Sequence, residues 1–175
     1  MHNNIERKKG RRTGEQPIEP RGSFSPAFLL AQVGAHAAAR FAERLRPVGL
    51  SPAHAGILRI LDAAPAITQQ ELAKALGSPP SRLVALVDEL ESKSLVERRA
   101  NETDRRRYAL FLTAKGKSLL QEIGALVRDH QNALLEVLSH DERQQLAALL
   151  MRIAENQGLR KGVHPGYSAR GQKPC

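Results

Sequence analysis

With 175 residues the chain can build one well-buried domain with tails, and with 41% hydrophobic but only 3% aromatic residues and no Trp its core must be aliphatic, which suits helices better than a sandwich. The lone cysteine, Cys175, excludes an intramolecular disulfide and a thiol site in the core, and fits a reducing compartment. No run of about 18 apolar residues is present, so no transmembrane helix is expected and the setting is read as cytoplasmic.

The net charge of +9 is unevenly spread. Residues 1–22 carry six Lys/Arg against three Glu, and residues 157–175 carry four Lys/Arg and no acid. Both segments lack periodicity and read as disordered basic tails. Residues 23–156 hold the remaining 17 basic and 15 acidic side chains, so overall charge says little about what the core binds. The uncharged stretch PAFLLAQVGAHAAA (26–39) imitates a signal peptide, but Gln32 and His36 interrupt it and it continues as an amphipathic helix.

Helix starts are legible from their caps. Ser25-Pro26, Ser51-Pro52 and Ser78-Pro79 each set a hydroxyl before a proline that suits the first helical position. Thr68 with Glu71 and Ser139 with Glu142 have capping-box spacing, and Thr113 can cap a further start. Six helices follow, over 25–46, 51–62, 68–75, 79–93, 113–137 and 139–156. The fourth carries Leu83, Leu86, Val87 and Leu90 at i, i+3, i+4 and i+7. Residues 95–100 and 107–112 instead read as short strands joined by a loop bearing Arg105, Arg106 and Arg107 beside Asp104.

The order helix, short helix, turn, helix, strand, charged loop, strand is that of a helix-turn-helix with a β-hairpin wing. Its second helix presents Ser81, Arg82 and Ala85 opposite the apolar stripe. Ser78 and Pro80 stand at its start, where a helix N-terminus attracts phosphate. A hairpin tip beside such a helix lies over the neighbouring minor groove, where arginine fits best. In that setting Asp104 can orient Arg106 through paired hydrogen bonds, and Arg98, Arg99, Arg105 and Arg107 add to the basic footprint. The expected partner is double-stranded DNA.

TQQELAKALGSPPSRLVALVDELESKSLVERR and NETDRRRYALFLTAKG resemble the MarR (multiple-antibiotic-resistance regulator) family of winged helix-turn-helix transcription factors. The second segment is similar to the family's wing pattern at Asp104, Arg105, Arg106, Leu112, Thr113 and Gly116, and the resemblance covers about residues 25–156. It implies a mainly α fold with six helices and a β-hairpin wing. The helices 25–46, 113–137 and 139–156 would intertwine in a homodimer, and 51–112 would form the winged lobe. It further implies two wings on a palindromic operator, with repression usually relieved by a small ligand. Three departures stand out. Ser94 sits where a glycine is common, Ala85 where many relatives have Arg, and no cysteine stands near the first helix, where the peroxide-sensing branch has one. Val84 can touch a thymine methyl or pack at the core flank.

His36, His54 and His130 fall on the apolar stripes of their helices. They read as satisfied core or interface residues, as lining of an effector pocket for aromatic acids or phenols, or, least well supported by spacing, as metal ligands. No metal or other cofactor is expected. No nucleophile, carboxylate pair or glycine-rich phosphate loop stands out, so the chain reads as a regulator rather than an enzyme. Two further readings are an architectural DNA binder of weak sequence preference and a dimeric protein-interaction module.

Overall fold

A computed structural model describes residues 25–100, 108–160, 162 and 163. The tail segments 1–24 and 164–175 and the loop 101–107 lie outside the described residues, and with them Asp104, Arg105, Arg106 and Arg107. The elements run α1 (Pro26–Leu45), a 3-10 turn (Arg46–Val48), α2 (Pro52–Ala63), α3 (Gln69–Leu76), α4 (Pro80–Ser92), β1 (Val96–Ala100), β2 (Tyr108–Leu112), α5 (Ala114–Leu134) and α6 (His140–Asn156). The chain divides into two compact units, Met1–Ala35 and His36–Cys175. The described part of the first is the N-terminal portion of α1, with Ser25 Oγ accepting from Phe28 N–H at 3.2 Å and Phe28, Leu29, Leu30 and Val33 all exposed.

In the second unit the caps fix where helices begin. Thr68 Oγ1 accepts from Glu71 N–H while the Glu71 carboxylate accepts from Thr68 N–H at 2.8 Å. Ser139 and Glu142 repeat the arrangement on α6, and Thr113 Oγ1 accepts from Gly116 N–H at 3.0 Å on α5. Each such cap is worth about 1 kcal/mol. The Ser78 cap expected for α4 does not form. Gly77, at φ +62° in the left-handed region, ends α3, and Ser78 N–H is used on Ala73 O at 3.1 Å to complete that end. With Pro80 as the first helical residue, Pro79 becomes the cap and has no hydroxyl to offer, so α4 starts with an open N-terminus.

Leu58, Leu61, Leu72, Leu76, Leu83, Val87, Leu90 and Leu110 form one fully buried aliphatic cluster with Leu45 and Ile57. Each buried leucine contributes about 1.5–3 kcal/mol. β1 and β2 pair antiparallel with Val96 opposite Leu112 and Arg98 opposite Leu110. The outer edge of β2 is not bare, as a hairpin alone would leave it. Leu110 N–H donates to Ile67 O at 3.0 Å and its carbonyl accepts from Ala66 N–H at 3.2 Å, so residues 66–68 act as a short third strand. That pairing also buries Ala109, on the face opposite Leu110.

Two junctions hold the hairpin root. Ser94 has φ +60°, the conformation a glycine would take more readily, so this departure costs backbone strain where α4 turns into β1. α5 then starts against the same turn. Leu95 O accepts from Thr113 N–H at 3.1 Å, Ser94 O accepts from Thr113 Oγ1 at 2.7 Å, and Lys93 O accepts from Lys115 Nζ at 2.9 Å. At the far end of the chain, Arg160 donates to the carbonyls of Lys74 and Ala75 and Arg59 donates to Gly162 O. A guanidinium suits the carbonyl end of α3, so part of the expected tail has partners in the lobe.

Candidate nucleic-acid interface

α4 is two-faced. Leu83, Val87 and Leu90 are fully buried, whereas Pro80, Ser81, Arg82 and Ala85 are exposed around the open N-terminus. None of the ion pairs between described residues involves Arg82. A cation of long reach and small neighbours therefore stand at a helix N-terminus that no side chain caps, an arrangement suited to phosphate and base edges. Val84 is 39% exposed, on the flank. Ser78 leaves this surface, since it is buried and its hydroxyl faces Pro79 O.

The two described wing arginines differ. Arg98, on the inward face of β1, has a side chain only 19% exposed. Its Nη2 lies 2.5 Å from Asp88 Oδ1, its Nη1 donates to Glu91 Oε2, and Nη2 also reaches Gln69 Oε1 at 3.4 Å. Partial burial works against this charge, but Asp88 and Glu91 more than offset it and raise the pKa above that of an ordinary arginine. Arg99 faces the other way, its guanidinium 4.6 Å over the Phe111 ring and paired with Glu97 on its own strand. A cation over a half-buried ring near the surface in this way contributes about 0.5–1 kcal/mol. Tyr108, 57% exposed, continues the hairpin's outer end.

The three histidines do not meet at one point. His54 is buried within α2 and completes its cap, Nδ1 accepting from Ser51 N–H at 3.2 Å while Ser51 Oγ accepts from His54 N–H. This fixes the neutral tautomer with its proton on Nε2, which sits 3.1 Å from Glu89 Oε2 on α4 without completing a well-aligned hydrogen bond. Burial lowers the His54 pKa, Glu89 offsets part of that, and Lys93 acts in the same direction as burial. The sequence carried a signal for this role, since Ser51-x-x-His54 has the spacing of a capping box. His130 instead packs on Phe41, ring centroids 5.4 Å apart, and its pKa is lowered by burial and then by Arg44, Arg40 and His36. His36 and His130 are thus neighbours between α1 and α5, His36 itself being exposed. Close by, an open groove of about 590 Å³ is lined by Arg44, Asp129, Asn132, Ala133, Glu136 and Arg143, a mixed-charge lining absent from the sequence reading. Among the described residues no group of His, Cys, Asp or Glu could hold a metal ion, and no helix is long and apolar enough to cross a membrane.

A short capped helix, a left-handed glycine turn, a second helix with an open N-terminus and a flanking hairpin define a winged helix-turn-helix. A model of the MarR family matches residues 48–107. Among solved structures, a transcriptional repressor, CouR, bound to a 23-mer DNA duplex is 34% identical with a TM-score of 0.68, the match covering 74% of this chain and 92% of that one. A Cys-to-Ser mutant of Escherichia coli MarR complexed with operator DNA is 30% identical with a TM-score of 0.64, covering 73% and 91%. MepR of S. aureus, at 24% identity and a TM-score of 0.68, shares the fold. The chain belongs to the MarR family of winged helix-turn-helix, DNA-binding transcriptional regulators.

Proposed function

We propose that this regulator is a cytoplasmic, dimeric repressor that reads a palindromic operator through α4 and the wing and is released by a small aromatic or phenolic acid. The observation that carries the operator reading is Arg82, exposed at the open N-terminus of α4 with no acid of the described residues paired to it, beside Pro80, Ser81 and Ala85. The wing residues Asp104, Arg105, Arg106 and Arg107 complete the reading surface, Asp104 orienting Arg106 toward the minor groove.

Uncovered apolar side chains support the dimer. Leu149, Leu150, Met151 and Ile153 are exposed in succession on α6, and the N-terminal unit exposes Phe28, Leu29, Leu30 and Val33. A second copy would cover both stripes. For the effector, His130 with Phe41 offers an apolar wall and an imidazole that stays neutral at physiological pH. A carboxylate placed there would also meet Arg40 and Arg44. His54 takes part through α4 rather than as wall, since its ring is committed to the α2 cap. Such a ligand releases DNA only by binding the DNA-free dimer more tightly than the DNA-bound one.

Competition binding tests the operator reading. The wild-type protein is titrated with a duplex that it selects from a random pool and with unrelated DNA, and Arg82→Ala is compared on both. One base contact is worth about 1–3 kcal/mol of discrimination, so Arg82→Ala should lose roughly 5- to 150-fold of the preference for the selected duplex. Equal loss on both DNAs would assign Arg82 to the backbone. A wild-type protein with no preference at moderate salt would instead favour an architectural DNA binder.

A further inference from the structure

We propose that Arg98 is a positioning residue, holding the wing at a fixed angle to the recognition helix rather than touching DNA. The inference rests on the reading of α4 and the hairpin as the DNA-reading pair, and assigns the part that sets their spacing.

Three observations converge on this role. Firstly, Arg98 is the last inward-facing residue of β1 with a largely buried side chain, since Ala100 two residues on and its partner Tyr108 are exposed. The apolar anchors of the hairpin, Val96, Leu110 and Leu112, all lie at or before this level. A short hairpin is marginal by itself; the bridge from Thr68 to Ala109 holds β2 at this level, and on the other strand Arg98 ties β1 to the helices.

Secondly, the guanidinium spans three elements at once: Asp88 and Glu91 on α4, Gln69 on α3, and its own strand. Asp88 and Glu91 are three residues apart and therefore on one face of the helix. A planar fork with five donors can serve all three acceptors together, which an ammonium on a flexible stem cannot.

Thirdly, the charge balance is wrong for a phosphate contact. Two carboxylates around one guanidinium leave this flank of the recognition helix net negative. Asp88 and Glu91 remain 56% and 40% exposed, so they would weaken, not assist, binding to a polyanion. Acids on the DNA-reading helix make sense where they hold something in place.

The experiment measures Arg98→Lys and Asp88→Asn in the full-length protein, on the duplex selected by the wild-type protein and on unrelated DNA, over a range of salt. Arg98→Lys keeps the charge but loses the fork. It should lower affinity for the selected duplex roughly tenfold, with little change on unrelated DNA and an unchanged slope of log affinity against log salt. Asp88→Asn removes a negative charge yet should also weaken binding to the selected duplex, with a melting temperature near that of the wild type. A duplex with its half-sites moved apart or together by one base pair should lose less with either variant than with the wild type, since a loosened wing tolerates altered spacing. If Arg98→Lys binds like the wild type, or Asp88→Asn binds more tightly on both DNAs, the positioning role is overturned. A wild-type protein that prefers no duplex would instead overturn the DNA-reading assignment on which the proposal rests.

Discussion

Gly116→Ala is the perturbation whose cost can be worked most directly from the geometry. A Cβ built at Gly116 falls 2.1 Å from Leu95 O, 3.0 Å from Leu95 C and 3.4 Å from a Leu112 methyl. Carbon and carbonyl oxygen approach to about 3.3 Å at closest, so α5 must retreat by about 1 Å. The retreat loosens the Thr113 N–H and hydroxyl contacts to Leu95 O and Ser94 O, at about 1 kcal/mol each. Overpacking a contact that has no flexible side chain to give way adds about 1–3 kcal/mol. Helix propensity returns about 1 kcal/mol. The expected net loss is about 2–4 kcal/mol, or roughly 5–15 °C in melting temperature for a chain of this size. Gly124, two turns later on the same helix, is the control: an added Cβ would meet only Arg128 Nη1, at 3.6 Å, so Gly124→Ala should gain up to about 1 kcal/mol. Thermal melts followed by circular dichroism, with urea titrations for the midpoint, compare the two. If Gly116→Ala melts at or above the wild type, the packing of α5 on the Leu95 carbonyl is not as described.

The strain at Ser94 should be relieved by Ser94→Gly, which gains about 0.5–1 kcal/mol in urea unfolding once the extra freedom of the unfolded chain is subtracted; a loss would mean that the Ser94 side chain carries an unseen contact. Because the folded pKa of His54 lies below its ordinary 6.5, its contribution to stability is complete above about pH 6.5 and is lost as pH falls through the lowered value. His54→Gln keeps a capping acceptor without titrating, so melting temperature should fall less between pH 7 and 5 in this variant than in the wild type, and an equal fall would remove His54 from the pH response. In the wing, Arg106→Ala should weaken operator binding by about 1–3 kcal/mol, and Asp104→Ala should weaken it too; tighter binding by Asp104→Ala in a gel-shift titration would replace orientation with simple charge repulsion.

What could be read from the sequence was local in the chain. The caps at Ser51, Thr68, Thr113 and Ser139 are three- or four-residue patterns, and each starts the helix assigned to it. The strained turn at Ser94 was legible for the same reason, as one residue at a junction of two elements. Ser78 misled because the pattern Ser-Pro was read without the proline that follows: Pro80 shifts the helix start by one and the end of α3 consumes Ser78. The bridge at residues 66–68 has too few residues to show alternation, and only β2 makes it a strand. Arg98 belongs to the basic footprint in sequence because its neutralising partners, Asp88 and Glu91, and the acceptor Gln69 are brought to it only by the fold, from two helices. A charge run tells how many cations are present; tertiary pairing decides which of them remain available. The same holds for the histidines: His54 is buried beside Glu89, His130 packs on Phe41, and His36 is exposed, which no single helix pattern distinguishes.

The central claim, that two copies of the chain read a palindrome with α4 in the major groove and the wing in the minor groove, is tested most directly by a hydroxyl-radical footprint of the full-length protein on its selected duplex. Two symmetry-related protected segments are expected, their centres about 10–10.5 base pairs apart or a multiple of that, each flanked by minor-groove protection that disappears with Arg106→Ala. A single protected half-site, or uniform protection that follows the length of the duplex, would contradict it.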